Sequence, residues 1–153
     1  DGNNGFIMTY EAGSDIMATR VDSAGNFVWT PNHKPVCNHS SIQSSPYTIQ
    51  SGNFLYTVWK DNRPPASLAD IYVQKVNMNG EAMWNPTGRR VFNINSFTPF
   101  PKLVANSHGD LVVTTSGTTV GFAGQKIRPD STIAWPGYGM QIATGNDVVP
   151  TNA

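Results

Sequence analysis

Apolar residues in this chain come in short bursts, separated by polar residues and turn formers, and never at helical spacing over ten or more positions. Phe6-Ile7-Met8-Thr9-Tyr10, Leu55-Tyr56-Thr57-Val58-Trp59 and Leu111-Val112-Val113-Thr114-Thr115 are β-branched or aromatic runs. Gly, Asn, Asp, Ser or Pro bound each of them, which is the punctuation of strands. Pro46-Tyr47-Thr48-Ile49 and Pro101-Lys102-Leu103-Val104 are two further short runs of the same kind. The pattern predicts an all-β chain with helix near absent.

The bursts repeat. The segment from Asp15 to Asn38 matches Asp70 to Asn93 after a shift of 55, and Gly121 to Thr144 after a further shift of 51, with no gap. Ile16, Ile71 and Phe122 share a large apolar column, and Val21, Val76 and Ile127 a β-branched one. Trp29, Trp84 and Trp135 each follow the β-branched position by eight residues, which places three of the four tryptophans in one column. Val36, Val91 and Ile142 come seven residues later, and Arg20, Lys75 and Lys126 form a basic column. Periods of this size mark repeat architectures. Each full unit is expected to hold four short antiparallel strands. The third and fourth are expected to meet at Asp22-Ser23-Ala24-Gly25, Asn77-Met78-Asn79-Gly80 and Arg128-Pro129-Asp130-Ser131. The first two turns end in the glycine that a tight hairpin wants at positive φ; the third has Ser131 instead.

The expected organisation is one repeat domain over 1–153, with units near 1–45, 46–100 and 101–149. Residues 150–153 begin another unit or complete the first, which lacks its leading strand. Either a C-terminal strand closes the first unit, or the chain is a piece of a longer array.

Composition narrows the function classes. Lys plus Arg and Asp plus Glu are 10 each, so the net charge is zero, and charged residues are 13% of the chain. That balance lacks the broad positive field of a nucleic-acid or anionic-membrane binder, so no nucleic-acid partner and no membrane insertion are expected. No apolar run approaches the ~20 residues of a membrane-spanning helix. Cys37 stands alone, which excludes an intrachain disulfide, and His33, His39 and His108 are scattered. No metal site and no cofactor are therefore expected. Calcium held by Asp15, Asp61 or Asp70 with backbone carbonyls is a remote alternative without a loop motif behind it. An Asn/Thr/Gly-rich surface of low charge reads as secreted or cell-surface, although the chain opens Asp1-Gly2-Asn3-Asn4-Gly5, without a signal peptide.

Two motifs carry a resemblance. Asp70-Ile71-Tyr72-Val73-Gln74-Lys75-Val76, continuing to Gly80 and Trp84, follows Val58-Trp59-Lys60-Asp61-Asn62-Arg63. This D-I-Y-x-Q-K-V-x-x-x-G-x-x-x-W unit, preceded by V-W-x-D-x-R, resembles repeats of large secreted and surface-anchored bacterial proteins of the Bacteroidetes kind. The resemblance implies β-propeller blades of four antiparallel strands. The first copy replaces the Trp-x-Asp with Tyr10-Glu11 and the third with Thr115-Ser116. Propellers close with about four to eight blades, so three units imply a partial propeller or one completed by self-association. A β-trefoil, which closes with three units, is the alternative.

The second unit alone carries a longer connection, Asn62 to Ala69, with two prolines and flanked by Trp59, Asp61 and Arg63. An aromatic plane beside a fixed acceptor and a planar donor is the composition of a sugar-contacting patch. The alternative is that Trp59 packs between sheets and Asp61 pairs with Arg63 or backbone. The repeat tryptophans are expected in the core, and the basic column either lines a channel or snorkels to solvent. No catalytic residues are expected. No carboxylates are paired at a spacing useful to a glycosidase, and no Ser-His-Asp order, phosphate loop or zinc spacing is present. The resulting reading is a non-catalytic secreted or surface binding module with carbohydrate as its leading ligand class. The alternatives are an architectural spacer of a larger surface protein and a fragment of a sialidase-like glycosidase propeller.

Overall fold

A computed structural model of the chain describes residues 4–64, 69–96, 101–117, 121–137 and 139–143. Eleven strands in these residues form three antiparallel sheets, and no helix occurs among them. Sheet 1 holds β1 (Phe6–Ala12), β2 (Asp15–Val21) and β3 (His33–Pro35) in chain order. Sheet 2 holds β4 (Gln43–Ser51), β5 (Phe54–Asp61), β6 (Ala69–Asn77) and β7 (Arg89–Ser96). Sheet 3 holds β8 (Lys102–Ala105), β9 (Leu111–Gly117), β10 (Gly121–Ile127) and β11 (Met140–Ala143). Every strand pairs with its sequence neighbour, so each sheet is a meander. The all-β expectation holds, and the trefoil alternative does not. A trefoil pools strands from all units into one barrel, whereas here no described strand pairs outside its own sheet.

The columns read from the sequence are register positions. Phe6, Leu55 and Leu111 each pair with the β-branched column, at Val21, Val76 and Ile127 respectively. Alternation along β5 sends Leu55 and Trp59 into a core shared with Ile16, Ala18, Trp29, Val36 and Cys37 of sheet 1. Tyr56 and Val58 point the other way, into a core shared with Leu103, Leu111, Val113 and Ile127 of sheet 3. Sheet 2 is thus buried on both faces by its neighbours. The C-terminal strand considered for closing the first unit falls in 144–153, outside the described residues.

One expectation about the hairpins needs correcting. After each turn the ladder makes only an isolated bridge, Val21 with Phe27, Val76 with Ala82 and Ile127 with Ile133. It then stops, and the outer strands begin later, at His33, Arg89 and Met140. The column tryptophans therefore lie in connections, not on strands. The physical reason is the proline that follows each of them, Pro31, Pro86 and Pro136: proline has no N–H to continue a ladder.

The three turns share one geometry. The N–H of Gly25, Gly80 and Ser131 donates to the carbonyl of Asp22, Asn77 and Arg128, at 3.1, 2.9 and 2.9 Å. All three donor residues have positive φ, 87°, 79° and 73°. Ser131 thus adopts the conformation its glycine counterparts adopt freely. Gly80 has a further constraint, because a Cβ there would lie 3.1 Å from the Trp29 ring.

Replacing Ser131 with Gly relieves a left-handed conformation that costs about 1–3 kcal/mol, offset in part by the greater freedom of glycine in the unfolded chain. Ser131→Gly is expected to raise the urea midpoint, whereas Gly80→Ala lowers it through strain and overpacking of about 1–3 kcal/mol. A Ser131→Gly chain less stable than wild type contradicts this account.

Candidate functional site

The three residues singled out at the long connection do come together. Trp59 and Asp61 stand at i and i+2 on β5, so period-2 alternation carries both to the side that faces sheet 1, and Arg63, just past the end of the strand, folds back onto Asp61. All three are buried. Asp61 accepts five hydrogen bonds. Oδ1 takes Ser41 Oγ at 2.7 Å, Arg63 Nε at 2.9 Å and the Arg63 backbone N–H at 3.0 Å. Oδ2 takes Arg63 Nη2 at 2.5 Å and Trp59 Nε1 at 3.0 Å. The guanidinium carbon lies 3.8 Å from the centroid of Tyr72, whose ring also stacks with Trp59 at 6.2 Å. On the other side Gly88, at φ +77°, leaves room that the indole occupies: a Cβ there would be 2.5 Å from Trp59 Cη2.

Burial opposes the charge on Asp61, and it is the largest single influence on that carboxyl. Hydrogen bonds from Arg63, Ser41 and Trp59 together outweigh it and hold the group below the usual carboxylate range. Burial pushes the Cys37 thiol up, with the Arg63 charge pulling against it, so the thiol stays protonated and donates to the Thr87 carbonyl at 3.4 Å. Gln43 completes the junction. Its Nε2 donates to the His39 carbonyl at 2.9 Å, and its Oε1 accepts from the Ile16 N–H at 3.2 Å.

These contacts correct the ligand-contacting expectation for Trp59, Asp61 and Arg63. A sugar stacks on an exposed ring and exchanges hydrogen bonds with open polar groups. Here the ring is covered and both carboxylate oxygens are filled, which is the packing alternative. The triad ties the end of β5 to the crossing segment between β3 and β4. The connection it anchors is described as far as Pro64, and residues 65–68 lie outside the described residues.

Sequence reasoning missed the partners there, His39, Ser41 and Cys37 in the crossing and Gln43 at the start of β4. His39, Ser41 and Asp61 include the residue types of an acyl-transfer triad, but in the wrong order. Ser41 Oγ sits between His39 Nδ1, at 2.9 Å, and Asp61. The Ser41 backbone N–H also donates to Nδ1, at 3.1 Å, so that nitrogen serves as an acceptor to the serine's own main chain. A triad needs histidine between serine and carboxylate. The only signal for this cluster in the sequence was the polar run around Ser41, which has no repeat counterpart.

The remaining candidates are held singly. In the basic column Arg20 Nη1 donates to the Met78 carbonyl at 3.2 Å, Lys75 Nζ lies 3.9 Å from the Phe54 ring centroid, and Lys126 pairs with Asp110 at 2.8 Å. Asp70 pairs with Arg90 at 2.5 Å. With arginines on Asp61 and Asp70, calcium has no open carboxylates there, and no cluster of three or more His, Cys, Asp or Glu fit for a metal occurs among the described residues.

No family model and no curated protein matches the chain. Among solved structures it is similar to an exo-1,5-alpha-L-arabinanase from a bovine ruminal metagenomic library, with a TM-score of 0.54 and 13% identity. The likeness covers 88% of this chain and 53% of that one. The fold is propeller-like. This chain spans about half the length of the arabinanase, and its described residues form an open series of sheets, not a closed ring.

Removing Arg63 while keeping Asp61 strands a buried carboxylate, so Arg63→Met is expected to cost about 3–5 kcal/mol. The Asp61 carboxyl lies lower in the folded chain than its unfolded value of about 3.9. It therefore contributes stability that is fully present above that pH and is lost as pH falls through the folded value. Urea midpoints measured from neutral pH into acid should fall more steeply for wild type than for Asp61→Asn. Parallel curves would remove Asp61 from the acid response.

Proposed function

We propose that this chain is a non-catalytic binding module of a secreted or surface propeller protein, with carbohydrate as its ligand class. The observation that carries the reading is the pinned rim above the Asp61 cluster. Asn38, Ser40, Asn62 and Pro64 are exposed on either side of it. Their backbones are held by bonds from Asn38 N–H to the Pro86 carbonyl at 2.8 Å and from Asn62 N–H to the Ile42 carbonyl at 3.0 Å. Polar side chains on an ordered backbone lose little entropy on binding. The buried triad then positions the rim and does not itself touch the ligand. The acidic residues Asp22, Asp61, Asp70, Asp110 and Asp130 are engaged in turns or ion pairs, which favours binding over acid-base work.

A second reading, part of a glycosidase propeller, is supported by the likeness to half of an arabinanase. It requires two carboxyl groups about 5–9.5 Å apart across a cleft, supplied in part by chain beyond the described residues.

Affinity electrophoresis through gels containing linear 1,5-α-arabinan and a panel of other polysaccharides separates the readings. Retardation by one of them, weakened about tenfold by Asn62→Ala or Asn38→Ala at unchanged thermal stability, is the expected result; tenfold corresponds to about 1.4 kcal/mol. Release of reducing sugar would favour the enzyme, and migration unaffected by every polysaccharide would end the carbohydrate reading.

A further inference from the structure

Three side chains of sheet 1 grip the turn of sheet 2. Trp29 Nε1 donates to the Met78 carbonyl at 2.9 Å, and Arg20 Nη1 donates to the same oxygen at 3.2 Å. Lys34 Nζ donates to the next carbonyl, that of Asn79, at 2.8 Å. The grip reaches Gly80 as well, where a Cβ would lie 2.8 Å from Lys34 Cδ and 3.1 Å from the Trp29 ring. Position 80 is therefore closed to any side chain while the two sheets are packed.

That requirement leaves the chain with a reactive pair. The residue before Gly80 is Asn79, and of the three turns only this one places a side-chain amide ahead of the positive-φ residue; the others have Ala24 and Asp130. Asn79 is exposed and Gly80 is buried. A glycine nitrogen is the least hindered backbone nucleophile, and the amide carbon of a preceding asparagine is within ring-closing reach of it. The folded turn blocks the attack. Gly80 N–H donates to the Asn77 carbonyl at 2.9 Å, so its proton and the plane of the Asn79–Gly80 peptide are both committed. The Asn79 N–H is held by Asn77 Oδ1 at 2.9 Å, and the Asn79 carbonyl by Lys34. Ring closure needs that peptide to rotate out of the turn, which breaks these bonds and the sheet 1 grip together.

We propose that Asn79–Gly80 is a self-modification site gated by the junction of sheets 1 and 2. When the junction opens, Gly80 N attacks Asn79 Cγ. The new N–Cγ bond replaces the Cγ–Nδ2 bond, and ammonia leaves carrying the proton from Gly80. Water then opens the cyclic imide at either carbonyl. One route leaves aspartate at position 79. The other runs the main chain through the side chain, adds one carbon to it and leaves a carboxylate where Lys34 held a carbonyl. The longer turn no longer presents both carbonyls to Trp29 and Lys34 at the old spacing, so an opening that lasts long enough becomes permanent. The inference goes beyond the carbohydrate reading and does not depend on it.

Peptide mapping by mass spectrometry tests this, following Asn79 separately from Asn4, the other asparagine that precedes glycine. In mildly alkaline buffer the folded chain is expected to convert Asn79 at least about tenfold more slowly than the chain in urea, because only the locally opened fraction reacts. Trp29→Phe keeps a ring against Gly80 and loses the bond to Met78, so it should speed conversion in the folded chain about two- to tenfold. Lys34→Met removes the other grip from a half-buried position and should act in the same direction. Val113→Ala, in the core between sheets 2 and 3, lowers global stability and should leave the rate unchanged. A folded rate equal to that in urea overturns the proposal. So does a rate unmoved by both junction variants, or one that Val113→Ala raises as much as they do.

Discussion

Sheet 2 is apolar on both faces, and the rest of the architecture follows from that. An antiparallel sheet with one wet face can end a structure; a sheet whose Leu55 and Trp59 point one way and Tyr56 and Val58 the other cannot. Each buried large apolar side chain is worth about 1.5–3 kcal/mol relative to exposure, so both faces demand neighbours. Chain order supplies them, sheet 1 on one side and sheet 3 on the other. The short meanders keep each sheet's strands adjacent in sequence, and the crossing segments between sheets do the stacking.

The Asp61 cluster sits at the first of these crossings, and its energetics differ from those of the apolar faces. Two charges removed from water are not a cheap source of stability. Their geometry is what sets them apart: five donors on one carboxylate can be satisfied in only one arrangement of β5, the Arg63 backbone and the Ser41 segment. The equivalent positions on β1 and β9 are Ala12 and Gly117, which need no such arrangement. A polar lock used once, beside apolar contacts used twice, distinguishes the junction of sheets 1 and 2 from that of sheets 2 and 3.

Much of this was legible in the sequence, and the remainder has identifiable physical reasons for being hidden. The apolar bursts and the repeat columns located the inner strands, and the structure shows that the β-branched column is a register position opposite Phe6, Leu55 and Leu111. The outer strands were expected directly after the turns, where the ladder makes only one bridge, at Phe27, Ala82 and Ile133, because the prolines after the tryptophans decide where it stops. Trp59, Asp61 and Arg63 looked like a ligand patch because they lie beside a proline-stiffened connection. Trp59 and Asp61 alternate onto one face of β5, which in a sheet packed on both sides is interior, and Arg63 folds back onto Asp61 from just past the strand. The partners Cys37, Ser41 and Gln43 had no signal beyond the polar run around Ser41. Cys37 and Ser41 lie in the crossing after β3 and Gln43 opens β4, and only the fold brings them to the Asp61–Arg63 pair and to one another.

The contacts between successive sheets combine apolar burial with a hydrogen bond. Trp29 Nε1 of sheet 1 donates to the Met78 carbonyl in the turn of sheet 2 at 2.9 Å, and Trp84 Nε1 of sheet 2 donates to the Pro129 carbonyl in the turn of sheet 3 at 3.1 Å. Met78 and Pro129 occupy one turn position, so the two contacts repeat one geometry. Hydrogen bonding and hydrophobic burial have unrelated distance and angle requirements, and both ask for the same stacking of sheet on sheet.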